Sequence, residues 1–476
     1  MSFKTLIGLE IHVELMTENK IFCNCKNEFG GEVNTHVCPV CLGLPGALPV
    51  LDKQAVDYAI KAGLAFNCEI AETIRMDRKN YFYPDLTKGY QITQADNPLC
   101  KGGYLDIDLS DGEKKINLER IHIEEDTGKQ IHTEEGTSLL DFNRCGVPLI
   151  EIVTKPDMNS AEEAKLFLEK LRATLKYIGV SDVRMEEGSL RCDVNINLVD
   201  DEKKIKSQIT EVKNLNSFRA VVKAIEYEEK RHLDLLSNDE STEKETRRWD
   251  ETLGQTVLMR KKLGASDYRF ENEADITPIK VERAWLDSIQ ETMPELPNAK
   301  KLRFMEEYSL TEYDAGVLTQ ARELADYFEE VLSYIGDSKI VSNWVTGDVL
   351  RRLKEENEEI QDTKLSAKML AELLELVKAS KINNNTAKAV LREMFETGKS
   401  AKEIVEEKGL SQISDQSELE EIVGKVLDDN PQSIEDFKNG KDRAIGFLVG
   451  QIMKRTKGKA NPQLVNALLT EKIKER

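Results

Sequence analysis

Gly8-Leu-Glu-Ile-His-Val-Glu-Leu15 alternates apolar and polar residues. Leu9, Ile11, Val13 and Leu15 share one face of an extended strand, and Glu10, His12 and Glu14 share the other. Leu190-Arg-Cys-Asp-Val-Asn-Ile-Asn-Leu198 follows the same rule, with Arg191, Asp193, Asn195 and Asn197 opposite Cys192, Val194 and Ile196. Arg120, His122 and Glu124 alternate with Ile121 and Ile123, and Glu151 stands alone in the apolar run Pro148-Leu-Ile-Glu-Ile-Val153. Together these stretches predict a sheet with one apolar face and one charged face. A solvated outer face is the commoner cause of alternation. Here, however, Glu10, His12, Glu125, Glu151, Glu187, Asp193 and Glu211 gather near Arg and Asn rather than among Thr, Lys and Ser. Between Ile150 and Ile152, Glu151 needs a partner or a proton, because a lone buried carboxylate is costly.

The densest acid group is His122-Ile-Glu-Glu-Asp-Thr-Gly-Lys129. Close like charges raise one another's pKa and oppose folding, so three consecutive acids beside a histidine point to a neutralising cation or a cationic ligand. Oxygen ligands with one imidazole suit a hard cation, which in turn can hold phosphate. Arg78, Lys79, Arg144, Arg191 and Lys213 are the basic candidates for such a phosphate.

With 476 residues, 40% of them hydrophobic, the chain can bury several cores, enough for roughly two to four domains. Its net charge of −20 makes it a poor general binder of polyanions. Any nucleic-acid contact must therefore be local. No run of about 18 apolar residues occurs and Met1-Ser-Phe-Lys-Thr lacks the pattern of a secretory signal, so a cytoplasmic protein without a membrane segment is expected. Eight cysteines in so long a chain do not make a disulfide scaffold. Cys23-x-Cys25 followed by Cys38-Pro-Val-Cys41 supplies four thiolates from two turns, the donor set of a structural zinc with no open position for chemistry. Four metal-free thiols are the alternative. Cys68, Cys100, Cys145 and Cys192 read as core residues.

Ser160-Ala-Glu-Glu163 reads as a capping box opening a helix that Gly179 stops, and a second helix follows Asn216-Ser217 through Val221, Ile225 and Glu228. Both should cover the apolar side of the sheet, giving an α+β fold with a mixed or antiparallel sheet rather than a regular βαβ repeat. Helical periodicity takes over near Pro294, so two all-α domains are expected at 294–404 and 405–476 after a first domain at 1–293 whose four-cysteine zinc element spans 23–41. From Phe437 to Arg476 there are ten Lys or Arg against three Asp or Glu, a local reversal of sign. Lys454, Arg455, Lys457 and Lys459 crowd one helix end, more cations than a helix dipole calls for, and suit a phosphate backbone. Gly446-Phe-Leu-Val-Gly450 reads as a site of close backbone packing.

Several chemistries are excluded. Gly398-Lys-Ser400 has Glu393 where a P-loop needs its first glycine, and neither a dinucleotide fingerprint nor a nucleophile elbow occurs. A nucleotide here would be held by a sheet face, basic side chains and metal-bridged phosphates.

Seven ordered blocks carry a family resemblance: GLEIHVEL at 8–15, DRKNYFYPDLTKGYQITQ at 77–94, HIEEDTGK at 122–129, DFNRCGVPLIEIV at 141–153, MEEGSLRCDVNI at 185–196, EVKNLNSF at 211–218 and GFLVGQIMK at 446–454. Over essentially its whole length the chain resembles the B subunits of the bacterial aspartyl/glutamyl-tRNA amidotransferases, the GatB family. The resemblance implies a cradle-shaped α+β catalytic domain, a helical domain and a helical tail that helps hold tRNA. It implies ATP-dependent phosphorylation of the side-chain carboxylate of Glu-tRNA(Gln) or Asp-tRNA(Asn), followed by displacement of phosphate by ammonia. No nucleophile motif for glutamine hydrolysis is present, so ammonia must come from a partner. The resemblance implies that this partner is the amidase, GatA, with the small protein GatC completing a heterotrimer.

On this reading His12, Glu125 and Glu151 hold Mg²⁺, Glu10 completes that site or a second one, and Glu125 is the principal ligand. Lys79, Arg191 and Lys213 hold the phosphates of ATP or of the acyl phosphate, Lys79 and Arg191 acting in catalysis beside Glu125. Cys23, Cys25, Cys38 and Cys41 hold Zn²⁺, and Lys454, Arg455, Lys457 and Lys459 contact tRNA. One departure stands out: where the family follows Asp-Tyr-Arg with Tyr-Phe-Pro-Glu-Pro-Asp, this chain has Phe270-Glu-Asn-Glu-Ala-Asp275, and loss of two prolines predicts a less rigid loop. Two other readings compete: a non-catalytic zinc-containing tRNA-binding adaptor, and an ATP-dependent ammonia ligase acting on a free amino acid.

Overall fold

The alternation at residues 8–15 becomes the middle of a large sheet. In a computed structural model, which describes residues 3–133, 135–200, 202, 204–238, 240–261, 268–410, 416–438, 443–456, 460 and 462–475, strand β1 spans Lys4–Glu14. Its Ile7, Leu9, Ile11 and Val13 are fully buried, whereas Glu10, His12 and Glu14 stay partly accessible. Helix α1 (Lys53–Ala65) follows. The other elements that frame the site are β2 (Asp77–Asn80), β3 (Tyr90–Thr93), β4 (Gly112–Glu125), β5 (Pro148–Thr154), α2 (Ala161–Tyr177), β6 (Leu190–Asp200), β7 (Thr210–Leu215), α3 (Phe218–Ser237), β8 (Glu245–Asp250), β9 (Gln255–Lys261) and β10 (Arg269–Asn272).

Among the described residues the sheet has 11 strands, in the order β9-β8-β7-β6-β1-β5-β4 and then the short Cys100–Lys101 and Glu69–Ile70; Ile205–Lys206 pairs with β6 and Tyr104–Leu109 with β4. Along the row from β4 to β6 every pair is antiparallel, while β7 and β8, joined through α3, run parallel. A separate three-stranded sheet is ordered β10-β2-β3.

Helices α2 and α3 lie on the apolar face. Phe167, Leu168, Leu171 and Leu175 of α2, with Val221, Ala224 and Ile225 of α3, join Ile11, Ile121, Ile152 and Val194 in one core. Full burial of each such aliphatic side chain stabilises by roughly 1.5–3 kcal/mol. Only half of the predicted capping box forms: Ser160 accepts from the Glu163 N–H at 3.1 Å, but the Glu163 carboxylate reaches back to the Asn159 N–H at 2.7 Å. Gly179, at φ 69°, takes the left-handed conformation that ends this helix.

Beneath α3 a buried charge network replaces hydrocarbon. Glu228 accepts from Arg231 at 2.7 Å and from Thr256, and lies 3.2 Å from Arg247 Nε, while His232 sits 2.8 Å from both Ser207 and Thr210. Burial opposes the Glu228 carboxylate, but hydrogen bonds from His232, Arg231 and Thr256 outweigh it and hold its pKa down to about 2. A depressed carboxylate pKa adds stability above the unfolded value of 4.5, and this is lost as pH falls toward 2. At neutral pH it amounts to about 3 kcal/mol. The difference in urea-unfolding free energy between wild type and Glu228→Gln should therefore shrink as pH drops through that window. A difference that stays flat would mean that Glu228 is not ionised in the folded protein.

The chain divides into two compact units, Met1–Leu296 and Pro297–Arg476. The second has no strand among its described residues and contains two apolar clusters, one from Phe304 to Val405 and one from Leu419 to Ile473. The α+β architecture, sheet-rich first and helical afterwards, stands as expected. Among the described residues, a Cβ at Gly446 or Gly450 would meet nothing within 4 Å, and the buried contacts of helix Arg443–Arg455 run through Leu448 and Ile452.

Candidate active site

Strand register assembles the charged face. His12 lies opposite Glu151 on one side and Arg191 on the other, and Glu151 lies opposite His122. His122, Glu151, His12 and Arg191 thus form one rung across β4, β5, β1 and β6. One rung away, Glu10 opposes Asp193. These residues floor a cavity of about 1000 Å³, whose walls include Lys79, Glu124, Asp126 and Lys213.

At its centre His12 Nε2 lies 3.2 Å from Glu124 Oε1 and 3.3 Å from Glu151 Oε2. His122 Nε2 is 3.6 Å from a carboxylate oxygen of each, and Arg120 approaches Glu151 at 3.8 Å. Burial works against a charged His12, but hydrogen bonds to Glu124 and Glu151 lift its pKa to about 10. Burial also opposes both carboxylates, yet the hydrogen bonds of His12 hold Glu151 below the usual range and those of His12 and His122 hold Glu124 well below it. Glu10 is shifted upward by burial and by the charge of Glu151.

Two overlapping donor sets result, Glu10–His12–Glu151 and His122–Glu124–Glu151, each with ligand atoms within 4.8 Å of one another. Carboxylate oxygens so close together fit a hard divalent cation. The buried Nδ1 of His122 has no hydrogen-bond partner among the described residues, so that ring is not locked in its present role.

Cationic side chains ring this centre. Arg191 is bonded to both oxygens of Asp126, at 2.5 and 3.3 Å, with Arg144 3.4 Å away. Burial and the charge of Asp126 lift Glu14, in the same group, to about 8. Lys213 pairs with Asp193 and, at 3.0 Å, with Glu211; burial opposes its charge, but these acids prevail and raise its pKa. Lys79 sits over the rings of Tyr268 at 4.7 Å and Tyr81 at 5.9 Å.

Glu125, the expected principal ligand, lies apart from the two donor sets clustered among the described residues. Its two oxygens lie 2.5 Å from Lys88 Nζ and one accepts the Ile92 N–H at 2.8 Å, which consumes its charge away from His12 and Glu151. The reason is the pleat: Glu125 follows the phase of Ile121 and Ile123, while Glu124 shares the phase of Arg120 and His122. That phase was visible in the alternation of 120–124, so Glu124, His122 and Asp126 are cavity residues that the same pattern could have found. Lys88 carries no sequence signal for its role. Arg78, a phosphate candidate, is taken up by Glu273 through two bonds of 2.8 Å and by Asp275 at 3.0 Å. That clamp and the pairing of β10 with β2 brace the segment expected to loosen without its prolines.

The four thiols of Cys23, Cys25, Cys38 and Cys41 converge within 4.8 Å. Lys20, fully buried, ties the two loops that carry them: its N–H donates to the Cys25 carbonyl at 2.9 Å and its ammonium to the His36 carbonyl at 2.7 Å. The hydrogen bond between Cys41 and Cys23 lowers Cys41 to about 5 while raising Cys23, as expected of crowded thiols with no cation between them. This set fits a tetrahedral metal. In the second unit, Arg455 bonds Asp429 at 2.6 Å, and Lys454 lies in the last turn of the same helix; Lys457 and Lys459 fall outside the described residues. No helix among the described residues is long and apolar enough to cross a membrane.

Fold and cavity together define a catalytic domain: residues 5–287 match the family model described as the GatB/GatE catalytic domain, and residues 326–473 match that of the GatB domain. The chain is 56% identical over 473 residues to a protein of Finegoldia magna, covering 99% of this chain and all of the relative. It is 54% identical over 474 residues to one of Clostridium tetani, covering 99% of each, and 55% identical over 480 residues to one of Caldicellulosiruptor saccharolyticus, covering both in full. All three relatives are named as the B subunit of an aspartyl/glutamyl-tRNA(Asn/Gln) amidotransferase. The chain belongs to the GatB family, as the seven sequence blocks implied.

Proposed function

We propose that this chain activates the side-chain carboxylate of a misacylated tRNA with ATP and passes it to ammonia. As a member of the GatB family it belongs to the tRNA-dependent amidotransferase, a ligase that converts Glu-tRNA(Gln) and Asp-tRNA(Asn) to Gln-tRNA(Gln) and Asn-tRNA(Asn). The observation that carries the chemical reading is the convergence of Glu10, Glu124, Glu151, His12 and His122 on one sheet face, with Lys79, Arg191 and Lys213 around the same cavity.

In this reading a carboxylate oxygen of the esterified amino acid attacks the terminal phosphorus of ATP, and ADP leaves. Ammonia then attacks the acyl carbon, the C–O bond breaks, phosphate departs and nitrogen gives up a proton. Glu124, Glu151 and Glu10 would hold Mg²⁺, which neutralises charge on a transferring phosphoryl group. His12 and His122 orient these acids. Arg191 and Lys213, each already turned to a carboxylate, are set to exchange that partner for phosphate, and Lys79 faces the cavity from its rim. Zn²⁺ on the four cysteines would serve the fold rather than the chemistry.

Ammonia is supplied by the amidase GatA, with the small GatC in the same heterotrimer, in the cytoplasm. Lys454 and Arg455, with Lys457 and Lys459, would contact the tRNA backbone. An adaptor without chemistry would leave the clustered acids and imidazoles without purpose, and a ligase for free amino acids would leave the basic tail without purpose.

The reconstituted heterotrimer, given ATP, glutamine and each misacylated tRNA, should release Gln or Asn from tRNA on deacylation. If neither amide forms while the amidase hydrolyses glutamine, the reading fails.

A further inference from the structure

Tyr83, Tyr81, Tyr268 and Phe270 stand in file at the mouth of the cavity. Ring centroids are 6.2 Å apart for Tyr83 and Tyr81, 5.7 Å for Tyr81 and Tyr268, and 6.4 Å for Tyr268 and Phe270, each pair meeting edge to face. The small sheet sets this spacing, since Phe270 of β10 pairs with Lys79 of β2. Tyr81, Tyr268 and Phe270 line the cavity, whereas Tyr83 carries the file outward. Tyr83 is 63% exposed, Phe270 45% and Tyr268 43%. Surface rings occur singly without meaning, but a contiguous row at a cavity mouth is an unfilled contact surface.

Cations accompany the row. Lys79 lies against two of the rings, and Lys244, Arg260 and Lys261, at the start of β8 and the end of β9, line the same cavity. In a chain of net charge −20 such grouping is a local exception. Aromatic faces beside a positive track are how proteins hold unpaired nucleotides: bases stack on the rings and phosphates lie along the cations.

We propose that this file is the stacking platform for the unpaired 3′ end of the RNA substrate, which it guides into the cavity. The proposal rests on the functional reading above and adds the surface that receives the RNA. The single base of ATP needs one ring face, and a file of four outnumbers it.

The test uses the full complex and tRNA carrying 2-aminopurine as its 3′-terminal base, whose fluorescence falls when it stacks. Binding to the wild-type complex should quench it several-fold. Tyr268→Leu combined with Phe270→Leu should abolish the quenching and raise the KM for misacylated tRNA, by roughly 5- to 150-fold for each stacked base lost, well above any change in the KM for ATP that follows from loosening Lys79. Tyr268→Phe should behave as wild type, which separates stacking from damage to the fold. Quenching that survives both leucines overturns the proposal, and so does a rise in the KM for ATP instead of tRNA, which would put the nucleotide's own base on the rings. Failure of the wild-type complex to form amide would sink the functional reading, while the fluorescence still reports on the platform.

Discussion

Replacing Glu124 by Gln is expected to lower amide formation on misacylated tRNA by about two to three orders of magnitude while tRNA binding holds. Glu124 lies beside His12, His122 and Glu151, and both imidazoles keep it ionised. The amide has the same shape but no charge, so it weakens cation binding and leaves two imidazoles facing only Glu151. Fluorescence-monitored tRNA binding and steady-state turnover, each titrated with Mg²⁺, measure the effect, and the loss should be partly recovered at high Mg²⁺. Wild-type turnover by Glu124→Gln would remove this carboxylate from the site.

Glu125, its neighbour in the chain, should respond in another way. Lys88→Met is expected to destabilise the protein by about 3–5 kcal/mol, because it strands a buried carboxylate whose remaining donor is the Ile92 N–H. In a unit of this size that lowers the melting temperature by on the order of 10 °C. Removing both charges, as Lys88→Met with Glu125→Leu, should restore most of the loss, since a buried pair replaced by hydrocarbon is close to neutral. Thermal unfolding of the single and double variants decides it. A double variant as unstable as the single one would show that Glu125 has a further obligatory partner.

These two acids also show what could be read in advance. Period-two alternation placed Glu10, His12, Arg191 and Asp193 on one face, and the register brings them together because a half-buried strand allows no other phase. The helices at 161–177 and 218–237 were legible from their caps and apolar stripes. Consecutive acids are harder, because composition treats Glu124 and Glu125 alike and only the pleat separates them. Contacts between distant segments were not legible at all. Lys88 meets Glu125 and Arg78 meets Glu273 through tertiary folding, so an arginine read as a phosphate candidate is engaged elsewhere and a lysine with no sequence signal holds the acid expected to bind metal. The same clamp explains why the segment without its two prolines still forms a strand.

The central place of β1 has a consequence for biosynthesis. It is made well before the strands it pairs with, which begin at Pro148 and Leu190. At about 5–20 residues per second the ribosome needs roughly 10–40 s to pass from β1 to the end of β6. Throughout that interval Ile7, Leu9, Ile11 and Val13 have no sheet to enter, and a nascent chain arrested before residue 190 carries Glu10 and His12 without Arg191 or Asp193 beside them. Truncated products of this gene should therefore be substrates for chaperones and proteases rather than partly active enzymes.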